Sequence, residues 1–103
     1  MNKEIKKQKT EHLIRNSLSK QLSDYRHNSF ISVVEVSLSK DFSKAEVFIS
    51  SFGIETEEII EELNHRSGFF RKTIAKNLNL RYTPILIFKQ YFDKQFEDKS
   101  KEN

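Results

Sequence analysis

The apolar residues of this 103-residue chain change their spacing along its length, and the order of those periods restricts the fold more than any single motif. From Lys3 to about Ser23, Ile14, Leu18 and Leu22 recur at spacing four with Leu13 beside them, so one face of a helix is built to be buried. After a polar turn over Asp24 to Ser29, the segment from Phe30 to Leu38 is rich in β-branched residues. There Val34, Val36 and Leu38 alternate with Glu35 and Ser37, as a half-buried strand requires. Lys40 to Ser43 connects to a second alternation, Ala45, Val47 and Ile49 against Lys44, Glu46 and Phe48, which makes a hairpin. Phe48 falls on the face opposite Val47 and Ile49, either exposed or packed against a terminal segment.

Helical spacing then returns. Gly53 breaks the second strand, Thr56 stands as an N-cap, and Ile59, Ile60 and Leu63 lie on one side of a short helix that is acidic in front. Gly68 interrupts the pattern, and Phe70, Ile74 and Leu78 restart it at spacing four, with Asn79 as the expected stop. Tyr82 to Phe88 reads as a final strand with Pro84 near its start, where a missing backbone donor is tolerated. The expected order is αββααβ: an α+β domain over residues 1–93, its three-stranded sheet packed against helices, with a helix-kink-helix at Ser67-Gly68. Residues 94–103 are expected to be a polar, frayed tail.

Composition narrows the chemistry. With no Cys, disulfides and thiolate zinc sites are excluded. His12, His27 and His65 lack metal-ligand spacing, and no Gly-rich phosphate loop follows a strand. Glu57 with Glu61 and Glu58 with Glu62 repeat at spacing four, but no His or Asp converges with them, so a solvated acidic face is the reading. No apolar run approaches the roughly 18 to 20 residues of a membrane helix, and the N-terminus is polar. The expectation is a soluble cytoplasmic protein that is not an enzyme and uses no cofactor, metal or small-molecule substrate.

The net charge of +3 decides little, whereas its distribution is informative. Residues 55–62 hold Glu55, Glu57, Glu58, Glu61 and Glu62 with no base. Residues 64–81 hold Arg66, Arg71, Lys72, Lys76 and Arg81 with no acid. The arginine fork pairs well with phosphate, and backbone donors at a helix start add to an anion site, so Arg66, Ser67, Gly68, Arg71, Lys72, Lys76 and Arg81 form a candidate RNA contact. Lys6, Lys7 and Arg15 would extend it from the basic side of the first helix. About five phosphates engaged would give a log-log salt slope of roughly −3.5 on single strands. The same arrangement also satisfies helix dipoles on solvated faces, and on the residues alone the two readings stand equal. Phe70 repeats with Ile74 and Leu78 and belongs to the core, whereas Phe69, Phe42 and Tyr82 are the candidates for stacking on bases.

Two segments carry a family resemblance. Val33-Val34-Glu35-Val36-Ser37-Leu38-Ser39-Lys40-Asp41-Phe42-Ser43-Lys44-Ala45-Glu46-Val47 resembles the strand, Asp-containing turn and Ala-x-Val strand of the ribosome-binding factor A family. Gly68-Phe69-Phe70-Arg71 followed by Leu80-Arg81-Tyr82-Thr83-Pro84 is similar to that family's Gly-Phe-x-Arg and Leu-Arg-x-x-Pro segments. The resemblance spans roughly residues 5–93. It implies a KH-like domain of type II that binds the free small (30S) ribosomal subunit and its 16S rRNA during late maturation, as a monomer, and supports growth in the cold. The Gly-x-x-Gly loop usual in KH domains is impossible with only Gly53 and Gly68. The family's Ala-x-Gly kink appears as Arg66-Ser67-Gly68, and its Asp-Pro-Arg turn as Asp24-Tyr25-Arg26. The same residues also allow a generic single-strand RNA-binding domain, or a protein-interaction module whose acidic second helix meets a basic partner.

Overall fold

A computed structural model of the chain describes residues 2–23, 25, 30–53 and 55–92. In chain order the elements are α1 (Asn2–Leu22), β1 (Phe30–Leu38), β2 (Lys44–Phe52), α2 (Thr56–His65), α3 (Ser67–Asn77) and β3 (Ile85–Gln90). This is the α+β class and αββααβ order of the KH-like type II arrangement. Strands lie in the order β1-β2-β3, with β1 antiparallel and β3 parallel to β2. Most of the expected turn after α1, and the expected tail, lie outside the described residues. No helix of the described residues is long and apolar enough to cross a membrane.

One face of the sheet carries the core. Val33, Val36, Leu38, Ala45, Val47, Ile49, Leu86 and Phe88 are buried there. They meet Ile14, Leu18 and Leu22 from α1, Ile59 and Leu63 from α2, and Phe70 and Ile74 from α3. Phe70, 1% exposed, is the aromatic centre: its ring lies 5.8 Å from those of both Phe88 and Tyr25. The strict alternation expected in β1 holds only for Val36 and Leu38. A β-bulge between Val33 and Glu35 inserts an extra residue, so Val33 turns inward and Val34 is only half-buried. Phe48 points to the other face and is half-buried, and on that face the partners Phe30 and Phe52 are 75% and 76% exposed.

A three-stranded sheet has two edges, and here helix side chains satisfy backbone groups on both edge strands. On β1, the Leu38 N–H donates to Glu11 Oε2 at 2.8 Å, and Arg15 Nε donates to the Val33 carbonyl at 3.2 Å beside the bulge. On β3, the Asn64 amide acts as a strand substitute: Phe88 N–H donates to Asn64 Oδ1 at 2.8 Å while Asn64 Nδ2 donates to the Phe88 carbonyl at 3.0 Å. An edge occupied in this way is a poorer template for a further strand.

Local ends differ from the sequence expectation by one to three residues. Thr56 begins α2 rather than capping it, and its hydroxyl lies 2.9 Å from Ser51 Oγ. Helix α3 stops at Asn77, because Leu78 is already extended. The last strand starts at Ile85, not Tyr82: Pro84 is buried just ahead of it, and the Ile85 N–H opens the pairing by donating to Ser43 O at 2.9 Å. The break between α2 and α3 sits at Arg66 (φ −105°, ψ 14°), just before the expected Ser67-Gly68. Gly68 lies inside the first turn of α3, its φ is not positive, and a Cβ there would meet nothing within 4 Å. Neither space nor backbone conformation demands glycine at that position.

The β1–β2 turn is held by Asp41. Its Oδ1 accepts from Ser43 Oγ at 2.7 Å, Ser39 Oγ at 2.9 Å and Ser43 N–H at 3.1 Å. Phe42 takes a left-handed φ of 65° and packs against the core, which removes it from the stacking candidates. The bonds from Ser43, then Ser39, hold the Asp41 carboxyl down from 3.8 to about 2.

Three outcomes are expected. Asn64→Ala leaves two backbone groups of Phe88 without their partner and should lower unfolding stability by about 1–3 kcal/mol in denaturant titration. Gly68→Ala should instead raise it by about 0.4–1 kcal/mol, since the helical conformation suits alanine and the unfolded chain loses freedom. For Asp41 the folded value is depressed, so its bonds stabilise the fold fully above the ordinary value of 3.8 and are lost as pH falls towards 2. A carboxyl titration followed by NMR should place its midpoint near 2, and Asp41→Asn should abolish that part of the acid sensitivity.

Candidate nucleic-acid interface

The rotation of α3 decides which side chains are offered to a partner. Because Phe70 and Ile74 face the core, Gly68, Arg71, Lys72 and Ala75 line the opposite side at spacings i, i+3, i+4 and i+7. Segment 81–83 runs beside that face on its way into β3. Between them lies a cleft of about 720 Å³ lined by Gly68, Phe69, Arg71, Lys72, Ala75, Arg81, Tyr82 and Thr83.

Within the cleft the cations have different tasks. The Arg71 guanidinium donates twice to the Thr83 carbonyl, from Nη2 at 2.9 Å and Nε at 3.2 Å, and so ties the 81–83 segment to α3. Lys72 is exposed on the rim, and Lys76 continues the same face one turn later. The Arg81 guanidinium lies 5.7 Å from the centre of the neighbouring Tyr82 ring. Among the described residues, no carboxylate comes within 4.0 Å of Arg66, Arg71, Lys72, Lys76 or Arg81.

The remaining candidates sit elsewhere. Arg66 lies at the α2–α3 corner with its guanidinium 5.8 Å from the Tyr25 ring, and the Tyr25 hydroxyl donates to Glu62 Oε2 at 2.7 Å. Ser67 is half-buried at the start of α3. Lys6, Lys7 and Arg15 do not line the cleft, and Arg15 is engaged with the β1 edge. Nine positions at about 100° each place Arg15 roughly opposite Lys6 around α1, so the helix does not present them as one patch. The structure thus joins Gly68, Arg71, Lys72 and Arg81 in one cleft with Lys76 on the adjoining turn, and separates them from the α1 bases.

Two cleft residues escape a reading based on charge. Thr83 accepts from Arg71 through its backbone carbonyl, which sequence cannot advertise. Ala75 was detectable: together with Gly68 it places small residues on the stripe that carries Arg71 and Lys72, and that keeps the cleft open.

The ribosome-binding factor A family matches residues 3–103 of this chain. Ribosome-binding factor A of Clostridium beijerinckii is 36% identical over 90 residues, covering 84% of this chain and 72% of the relative. The crystal structure of ribosome-binding factor A from Thermus thermophilus superposes with a TM-score of 0.74 at 23% identity, covering 82% of this chain and 94% of that one. Coordinates of the Thermus thermophilus factor fitted into the cryo-EM map of a 30S complex give a TM-score of 0.66 at 24% identity, covering 76% of this chain and 87% of that one. With helices, mixed sheet and nearly the full sequence in agreement, this chain belongs to the ribosome-binding factor A family.

Proposed function

We propose that this protein binds free small ribosomal subunits through their 16S rRNA, with the exposed face of α3 and the 81–83 segment as the gripping surface. The observation that carries the reading is the cluster of Lys72, Lys76 and Arg81 around an open cleft, without a described carboxylate in reach, on a chain of this family. A related factor has been fitted to a 30S complex, which supports the choice of subunit. Phosphate contacts fix orientation and make affinity dependent on salt.

The action is conformational rather than catalytic. A protein that binds one rRNA arrangement better than its rivals shifts the population towards it, and the shift is limited by that difference in affinity. Late maturation of the subunit then proceeds on the favoured arrangement, and other enzymes process the rRNA ends. The factor works in the cytoplasm as a monomer and supports growth in the cold. Residues 1–93 form its binding domain, with 94–103 as an appended polar tail. Lys6 and Lys7 add contacts from α1, and Arg66 adds charge at the helix corner.

Cosedimentation with separated subunits across a salt series tests partner and electrostatics together. The protein should pellet with small and not with large subunits. Lys72→Glu combined with Lys76→Glu should abolish that binding at moderate salt. Replacing the same pair by Gln should lower the magnitude of the log-log salt slope by roughly 1.4, two phosphate contacts on single strands. Equal affinity for both subunits would indicate a generic RNA-binding domain, and unchanged binding by the Glu pair would place the interface elsewhere.

A further inference from the structure

The rings beside the cleft are as unusual as its charges. Phe69 and Phe70 are consecutive, yet Phe70 is buried while Phe69 is 63% exposed. Tyr82, which also lines the cleft, is 70% exposed. Neither ring is needed to close the core, and both are oriented: Phe69 meets Phe70 edge-on at 5.7 Å, and Tyr82 sits against the Arg81 guanidinium. Gly68 and Ala75 are the small residues of its lining, and a Cβ at Gly68 would meet open space. Any larger side chain at either position would fill part of the volume.

We propose that this cleft receives an unstacked base from a single-stranded stretch of RNA, with Phe69 and Tyr82 as stacking surfaces and Lys72 and Arg81 holding the adjoining phosphates. The inference rests on the RNA-binding reading above and specifies what that site recognises. Paired bases have their faces already covered, and an A-form duplex is met through phosphates and 2′-hydroxyls, so two open rings gain nothing from it. An unpaired base offers a π-face to any aromatic ring and carries a phosphate on each side for the rim cations. The cleft volume lies within the usual range for ligand sites of about 300–1,000 Å³. Among the described residues, no acidic side chain lines it, which suits a polyanion.

Arg71 is a positioning residue in this arrangement. Its two bonds to the Thr83 carbonyl hold the segment that carries Tyr82 against α3, the helix that carries Phe69.

The test uses the full chain and three fluorescein-labelled RNAs in anisotropy titrations: a short single strand, the same strand with abasic central positions, and its duplex. The intact single strand should bind about tenfold or more tighter than the abasic strand. Phe69→Leu combined with Tyr82→Leu should erase that preference, weakening the intact strand by about tenfold to a hundredfold while leaving the salt slope unchanged, because no charge is altered. Tyr82→Phe keeps the ring and should bind as the parent does. Both leucines replace exposed side chains, and circular dichroism with thermal unfolding should show the fold intact. Equal binding of abasic and intact strands, or a double leucine variant that keeps the parent's preference, overturns the stacking inference alone if subunit binding and its salt slope persist. A parent protein that binds neither small subunits nor RNA overturns both readings.

Discussion

Burial of Phe70 fixes the rotation of α3, and the make-up of the basic cleft follows from that rotation. The ring sits among Phe88 and Tyr25, with Ile74 one turn further on, and removing an aromatic side chain of this kind from water contributes roughly 1.5–3 kcal/mol. Once those two residues face the sheet, Gly68, Arg71, Lys72 and Ala75 can only face away from it. Cations and small residues alternate along that outer stripe, so charge is presented on the rim of a space instead of on a filled surface. The clamp from Arg71 to Thr83 then sets the second wall. A core residue thereby determines the geometry of a cleft whose lining it does not join.

Periodicity was enough to read the layers. Ile14, Leu18 and Leu22, the Ala45-Val47-Ile49 alternation, and Phe70 with Ile74 all reach the core as their spacing requires, since burial is what produces such spacing. The misreadings have a shared origin in interactions that leave no periodic trace. Val34 is displaced by a bulge, Thr56 yields its cap position to a hydroxyl pairing with Ser51, and the Arg66 break depends on backbone angles. Of the site, the charged members in α3 and Arg81 were legible from the change of sign after Leu63. The two different duties of the arginines were not. Arg15 and Arg71 both look like free cations in sequence, and both turn out to hold carbonyl groups of distant backbone.

The division of charge between α2 and α3 separates two kinds of surface. Glu57 and Glu58 stand in the first turn of α2, where the helix dipole favours them, and Lys76 stands in the last turn of α3. Meanwhile Asn64, a neutral residue at the end of α2, does the structural pairing with β3. Charge is therefore spared from edge protection on that side, and the basic stripe stays available to solvent.

The parallel pairing of β2 with β3 also governs the order in which the chain can assemble. Lys44 lies opposite Ile85, and everything between them, including both short helices, must be synthesised before that ladder can close. The hairpin of β1 and β2 can form early from local contacts, whereas closing the last strand demands a long loop and is entropically slow. Since the segment leading into β3 supplies one wall of the cleft, a nascent chain has no such cleft until its final strand docks. Formation of the cleft is thereby coupled to completion of the domain, so a truncated or stalled product would expose basic residues without the wall that frames them.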